Sequence, residues 1–394
     1  MVSLRIGLLC HRGVGGSARI AVDLGNALAA RGHTVHLFAR TFPLGIETFA
    51  RGVTFHPLCE GDGHAPASSF LDDNWSSLDL DLLARRVEGV ARSAGLDVLH
   101  FHYAMPFAWV AAEAVRRLGS TAPLLVGTLH GTDVSVHGRS AQGPSLARAL
   151  ARADRLTTVS RSHAWLATQT FSLPHPPDLI PNFVDVARFR PTNGGARDRG
   201  RPRRIVHVSN FRPVKDPASV VRVFTSVRRN IDAELWLVGD GEAMPAVQAA
   251  VRRARLERHV RFFGLHPAVE RVLPHAELLL LTSRSESFCL AALEAAACGV
   301  PCVAPRLGGL PELVVHGETG VLFRPADEAG AARAVLGLLD KPETLARMRR
   351  EALRRANMFA SETMVPRYER VYRGLVDGAC RGTPRTPVGR EGAG

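Results

Sequence analysis

The chain has 394 residues, 46% apolar and 22% charged, a globular composition too long for one ordinary core and suited to two domains. Its net charge is +13, but nearly all the positive charge is scattered arginine and aromatics are only 6%, which excludes a nucleic-acid surface of clustered basic and aromatic side chains. No apolar run approaches the roughly 18 residues of a spanning helix, so stable membrane insertion is excluded as well.

In chain order, short apolar runs alternate with helical patterns. Strands are expected at residues 5–10, 34–38, 98–101, 124–128 and 156–159, then at 205–208, 235–238, 260–263, 278–281 and 301–304. Helices are expected between several of them, as at 18–30, 290–297 and 331–339. Such alternation specifies an α/β fold with parallel sheets built from βαβ units. The opening apolar stretch is short, lacks a cleavage site and runs into a glycine loop, so it reads as a first strand rather than a signal peptide. Residues 191–204 are rich in Gly, Arg and Pro without hydrophobic period and mark a boundary. The expected division is 1–190 and 191–360, then a helix at 361–380 returning to the first domain and a disordered tail at 381–394.

The cysteines are Cys10, Cys59, Cys289, Cys298, Cys302 and Cys380, with no CxxC and no histidine pair at metal spacing. They read as core residues of a cytoplasmic, reducing setting, and no metal site is expected.

Polar motifs fall where strands end. Gly15, Gly16 and Ser17 follow the first; His102 and Tyr103 follow 98–101; His130, Thr132 and Asp133 follow 124–128. Ser209–Lys215, 239–242 and 283–286 follow strands of the second half. Open α/β sheets bind ligands at the carboxyl ends of their strands. The glycine pair lets backbone approach a phosphate, with Ser17 as the helix N-cap. Glu286 and Glu294 stand eight residues apart around the start of the 290–297 helix. The N–H groups of Phe288, Cys289 and Leu290 point at the same place. Carboxylates accept from hydroxyls and N–H groups donate to phosphate, so the set fits a sugar nucleotide.

These residues carry a resemblance. Glu-x7-Glu, the run Ala-Cys-Gly-Val-Pro-Cys-Val-Ala-Pro-Arg-Leu-Gly-Gly-Leu-Pro-Glu-Leu-Val and His-Gly-Glu-Thr-Gly resemble family-4 retaining glycosyltransferases over about residues 4–375. Within that family, Val-Gly-Gly-Ser-Ala, Leu-His-Phe-His-Tyr-Ala-Met-Pro, Leu-His-Gly-Thr-Asp and His-Val-Ser-Asn-Phe-Arg-Pro-Val-Lys resemble N-acetylglucosaminyl-malate synthases of bacillithiol assembly. The resemblance implies a GT-B fold, two Rossmann-like domains facing each other across a cleft. It implies UDP-GlcNAc as donor, no cofactor and no catalytic metal. The partners are then small molecules, with a homo-oligomer left open.

By resemblance Glu294 binds the ribose hydroxyls and Glu286 the sugar hydroxyls. Lys215, one of only two lysines, and Arg212 neutralise the diphosphate. Asn210 contacts sugar or acceptor, and His130 lies near the 6-hydroxyl of the donor sugar or near the acceptor. Ser17, Tyr103, Thr132 and Asp133 are acceptor candidates. A retaining transferase without an obvious nucleophile implies front-face substitution, with the departing phosphate oxygen taking the acceptor proton.

One segment departs from the synthases. Residues 52–84 hold no Lys or Arg but six acids: Glu60, Asp62, Asp72, Asp73, Asp79 and Asp81. Lining an acceptor mouth, it repels a dianion and attracts a polyamine-like alcohol. That favours an aminocyclitol or aminoglycoside intermediate of antibiotic biosynthesis. L-Malate is the alternative acceptor and a membrane-surface glycolipid the further one.

Overall fold

The apolar runs become two fully parallel sheets. The computed structural model describes residues 2–11, 15–40, 50–58, 76–192, 201–380 and 388. The chain divides into two compact units, Met1–Pro181 with Glu362–Gly394, and Asn182–Ser361. The division thus falls before residues 191–204 rather than within them.

Unit 1 holds β1 (Arg5–Leu9), β2 (Thr34–Ala39), β3 (Val53–Pro57), β4 (Val98–His102), β5 (Leu124–Leu129), β6 (Arg155–Thr158) and β7 (Asp178–Leu179). Their order in the sheet is β3-β2-β1-β4-β5-β6-β7. Unit 2 holds β8 (Arg203–Val208), β9 (Ala233–Val238), β10 (Val260–Gly264), β11 (Leu278–Leu280), β12 (Cys302–Pro305) and β13 (Gly320–Phe323), in the order β10-β9-β8-β11-β12-β13. Every residue of β4, β5, β11 and β12 is buried. Helices cover both faces of a parallel sheet, so its central strands are buried throughout and mostly apolar, His100, His102 and Thr128 being buried polar exceptions.

Strands β3, β7 and β13 were not expected from sequence. β3 and β7 contain no fully buried residue, and β7 is two residues long. An edge strand packs on fewer neighbours and shows little hydrophobic signal.

In each sheet the strand order reverses once, between β1 and β4 in unit 1 and between β8 and β11 in unit 2. Ligands of such sheets bind beyond the carboxyl ends of the strands at that reversal.

The helix Ser361–Cys380 belongs to unit 1. Tyr368 and Tyr372 on it are fully buried, and the Tyr372 hydroxyl lies 2.7 Å from His100 Nδ1. Glu369 accepts from His33 Nε2 at 2.8 Å and Arg31 Nη2 at 2.7 Å. Because His33 Nδ1 accepts from the Leu4 N–H, its proton must sit on Nε2, facing that carboxylate. Residues 381–387 and 389–394, read from sequence as a disordered tail, lie outside the described residues. Among the described residues no helix is long and apolar enough to cross a membrane.

Candidate active site

The reversal point of unit 2 gathers Lys215 and Glu286. Lys215 ends a short 3-10 turn, Pro213–Lys215, after β8; Glu286 lies on the loop after β11. Lys215 Nζ donates to Glu286 Oε1 at 2.7 Å, and the Ser283 hydroxyl donates to the same oxygen at 2.7 Å. The Glu286 side chain is 5% exposed and that of Lys215 24%. Burial opposes the lysine charge, but the adjacent Glu286 more than offsets it, so the Lys215 pKa lies above its ordinary value. Lys215 is therefore a fixed cation at neutral pH.

The two loops are tied together beyond that pair. The Arg284 N–H donates to Val214 O at 2.8 Å, and the Thr282 hydroxyl donates to Asp216 O at 2.9 Å. Arg284 Nη2 also pairs with Asp216 at 3.0 Å. A third loop, after β12, presses from the side. Gly308 has φ +52°, and a Cβ there would lie 1.8 Å from the Glu286 carbonyl oxygen. Gly309 N–H donates to that oxygen at 3.0 Å. Gly308→Ala is expected to cost more than the roughly 1–2 kcal/mol of a left-handed non-glycine residue, because a backbone oxygen cannot move aside cheaply. A variant with the parent melting temperature would refute that close approach.

Arg212 is half-buried and its charge acts on Lys215, while Asn210 is exposed. The helix Leu290–Ala297 begins at Cys289, whose φ is +76°. Among the described residues no backbone acceptor is assigned to the N–H groups of Phe288 and Cys289, and Leu290 is the first helical residue. The first turn of a helix has such donors and favours an anion. The Phe288 ring itself packs on Phe359 at 5.8 Å, so its part is left to its backbone. Burial raises the Cys289 thiol far above its usual range, which keeps it protonated. Glu294 stands half-buried on the same helix.

At the reversal point of unit 1, His11 follows β1 and Tyr103 follows β4. Their rings meet edge to face at 5.0 Å, and His11 Nε2 lies 2.9 Å from Met105 O. The sequence reading missed His11. The Tyr103 hydroxyl bonds the Thr132 hydroxyl at 2.6 Å, which brings two acceptor candidates together.

Two expectations are corrected here. Asp133 is fully buried, and its carboxylate accepts the N–H groups of Gly131 at 2.6 Å, His130 at 3.0 Å, Val134 at 3.1 Å and Ala104 at 3.2 Å. It ties the turn after β5 to the helix after β4 and does not face a ligand. Ser17 is not an N-cap: the helix Gly16–Ala30 is capped by Gly15. Gly15 has φ −73°, and among the described residues no atom lies within 4 Å of a Cβ built there.

His130 is 7% exposed, and its Nε2 lies 3.1 Å from Nδ1 of the fully buried His102. Burial first, then the neighbouring His102, pushes the His130 pKa down to about 3. A neutral imidazole with so acidic a conjugate acid is a weak proton acceptor. His130 is therefore suited to hydrogen bonding rather than to proton transfer.

The acidic segment also changes meaning. Asp79 forms a capping box with Ser76 at the start of the helix Ser77–Ala94. Asp81 pairs with Arg85 at 2.8 Å and with Arg117. Both carboxylates thus have local partners, which weakens the case for a cationic acceptor. Glu60, Asp62, Asp72 and Asp73 lie outside the described residues. Among the described residues no group of three His, Cys, Asp or Glu is arranged to hold a metal ion.

Residues 195–355 match the model of "Glycosyl transferases group 1" and residues 14–188 that of "Glycosyltransferase Family 4". The chain is 35% identical to the N-acetyl-alpha-D-glucosaminyl L-malate synthase of Bacillus anthracis, over 94% of this chain and 97% of that one. It belongs to the family-4 glycosyltransferases. This glycosyltransferase is also 28% identical to a glycogen synthase of Mycobacterium tuberculosis, over 95% of each chain. Its fold matches Anabaena HepE in complex with UDP-glucose at a TM-score of 0.78 and 20% identity, covering 94% of this chain and 100% of that one. The solved relative shares the GT-B arrangement of two parallel-sheet domains.

Sequence reasoning missed the supports of the Lys215–Glu286 pair. Ser283 appeared only as a member of a strand-end motif, and His207 only within a strand and as the first residue of a resemblance motif. Neither had a signal of its own, because each matters through a partner far along the chain.

Proposed function

We propose that this glycosyltransferase moves N-acetylglucosamine from UDP-GlcNAc to the hydroxyl of L-malate, with retention at the anomeric carbon. The observation that carries the reading is the end-to-end 35% identity with a protein named for that reaction. The aminocyclitol reading rested on the acidic segment, and two of those acids have structural partners instead.

Within unit 2 we assign Lys215 and Arg212 to the diphosphate. Glu286 and Glu294 take the sugar and ribose hydroxyls. The first N–H groups of the Leu290–Ala297 helix take remaining phosphate oxygen. In unit 1 Tyr103 and Thr132 are the acceptor contacts, with His130 as a neutral donor or acceptor to a hydroxyl. The weak basicity of His130 supports a path in which the departing phosphate oxygen takes the acceptor proton. Positioning and charge then supply the acceleration. The net charge of +13 favours encounter with two anionic substrates.

Purified protein with UDP-GlcNAc should glycosylate L-malate and release UDP, and proton NMR of the product should show the α anomer. Transfer to a 2-deoxystreptamine-type aminocyclitol with none to L-malate would refute the acceptor. A β-linked product would refute retention.

A further inference from the structure

Lys215 reaches Glu286 only because the loop between β8 and Pro213 follows one path, and that path has a buried support. His207, in β8, is fully buried. Its Nδ1 lies 2.9 Å from the carbonyl oxygen of Leu280, the last residue of β11. A carbonyl can only accept, so the ring proton sits on Nδ1 and Nε2 is an acceptor. The Ser209 hydroxyl lies 2.8 Å from Nε2 and therefore donates to it. That hydroxyl in turn accepts the Phe211 N–H at 3.2 Å. The relay has one direction: Phe211 N–H to Ser209 Oγ, Ser209 O–H to His207 Nε2, His207 Nδ1–H to Leu280 O.

Phe211 needs such support. Its φ is +43°, a region that costs a bulky residue free energy, and its ring is fully buried against the His207 imidazole at 5.5 Å. From below, Gly239 at φ +117° lets Ser209 O sit where a Cβ would come within 1.8 Å. The loop is therefore held on both sides, by packing under Ser209 and by hydrogen bonds through it. One end of the relay is the β11 strand, which leads into the Glu286 loop. The other end is the turn that leads to Lys215.

We propose that His207 is a positioning residue for the phosphate-binding loop: through Ser209 it holds the left-handed Phe211 turn that delivers Lys215 to Glu286. The inference rests on the assignment of Lys215 to the donor diphosphate. It adds two residues that touch neither substrate.

Two variants separate this role from general stability. Ser209→Ala removes the relay hydroxyl from a half-buried loop position without altering the core. His207→Asn keeps a donor near Leu280 O but cannot reach Ser209. Each is expected to lower kcat/KM for the donor about 100-fold, the cost of misplacing a catalytic group by roughly 1 Å. UDP affinity by calorimetry should fall about tenfold in each, roughly the loss of one charge-assisted contact. The double variant should be no more than about twofold worse than either single one, because both interrupt the same relay. A purely structural role would lower the melting temperature and leave UDP affinity and kcat/KM of the folded protein unchanged; that result would overturn the proposal. Lys215→Ala is measured beside them. If it loses UDP affinity while the two relay variants keep it, the relay alone is wrong. If Lys215→Ala itself keeps UDP affinity, the phosphate assignment fails and the relay's purpose fails with it.

Discussion

Lys215→Ala is expected to lower kcat/KM for UDP-GlcNAc by about 10³-fold, as when one preorganised charge stabiliser is removed from an enzyme. The lysine is a poor candidate for a merely solvated surface charge. It is held at 2.7 Å from a carboxylate that is 5% exposed, and a second cation, Arg212, acts on it electrostatically. Both cations therefore belong to one small region at the carboxyl end of the unit 2 sheet. Lys215→Arg should recover part of the loss, because it restores charge but not the compact ammonium that fits beside Glu286 and Ser283. The alanine variant also leaves Glu286 buried without its cation, which destabilises. Lys215 is only partly buried and the Ser283 hydroxyl remains, so the cost should fall below the roughly 3–5 kcal/mol of breaking a fully buried pair. Initial rates over a range of UDP-GlcNAc, with a urea melt of the same sample, separate the two effects. Transfer within tenfold of the parent protein would remove Lys215 from the mechanism.

Acid should unfold the protein through its buried histidines, before most carboxylates protonate. Burial pushes His100 and His130 down to about 3, and His11 and His207 down to about 4. Three of these four lie in unit 1. Each is neutral in the folded chain and titrates near 6.5 in the unfolded one. Above pH 6.5 neither state binds the proton, and the stability is fully present. As pH falls below 6.5 the unfolded chain binds protons that the folded chain refuses, so stability declines until the folded values are reached. Each such histidine contributes up to about 1.4 kcal/mol of loss per pH unit across that window. Urea unfolding at pH 7, 6 and 5 should show a falling free energy at each step, with unit 1 lost first. A flat or rising profile would show that these imidazoles are not buried as described. His130→Gln, which cannot take up a proton, should flatten the slope.

The alternating α/β architecture was legible because central parallel strands are covered on both faces and are therefore mostly apolar. β4 and β5 are buried at every residue and stand out as runs. β3 lies at a sheet edge without a fully buried residue and β7 is a two-residue edge pairing, so neither stood out as a run, whereas β13 is a short Gly-Val-Leu-Phe segment that the sequence reading passed over. Residue chemistry at strand ends was equally legible. A lone lysine and a carboxylate after two apolar runs suggest an anion site with a hydroxyl contact, and the structure brings Lys215 and Glu286 within a hydrogen bond.

The fate of each polar side chain was not legible, because it depends on what reaches it from elsewhere. Asp133 in His-Gly-Thr-Asp looked available to a ligand; folding turns four backbone N–H groups onto it. Asp79 and Asp81 looked like part of a repelling acidic wall; one caps a helix and the other meets Arg117 across 36 residues of sequence. His207 had no role of its own in the strand and motif that contain it, yet its two ring nitrogens join β11 to the turn before Lys215. By itself the sequence determined the strand and helix periods, the kinds of charge at the strand ends and the family, all of which are local or additive properties. Only the tertiary structure decided which of those charges still face a ligand. Buried polar atoms must find partners, and those partners lie far away in the chain.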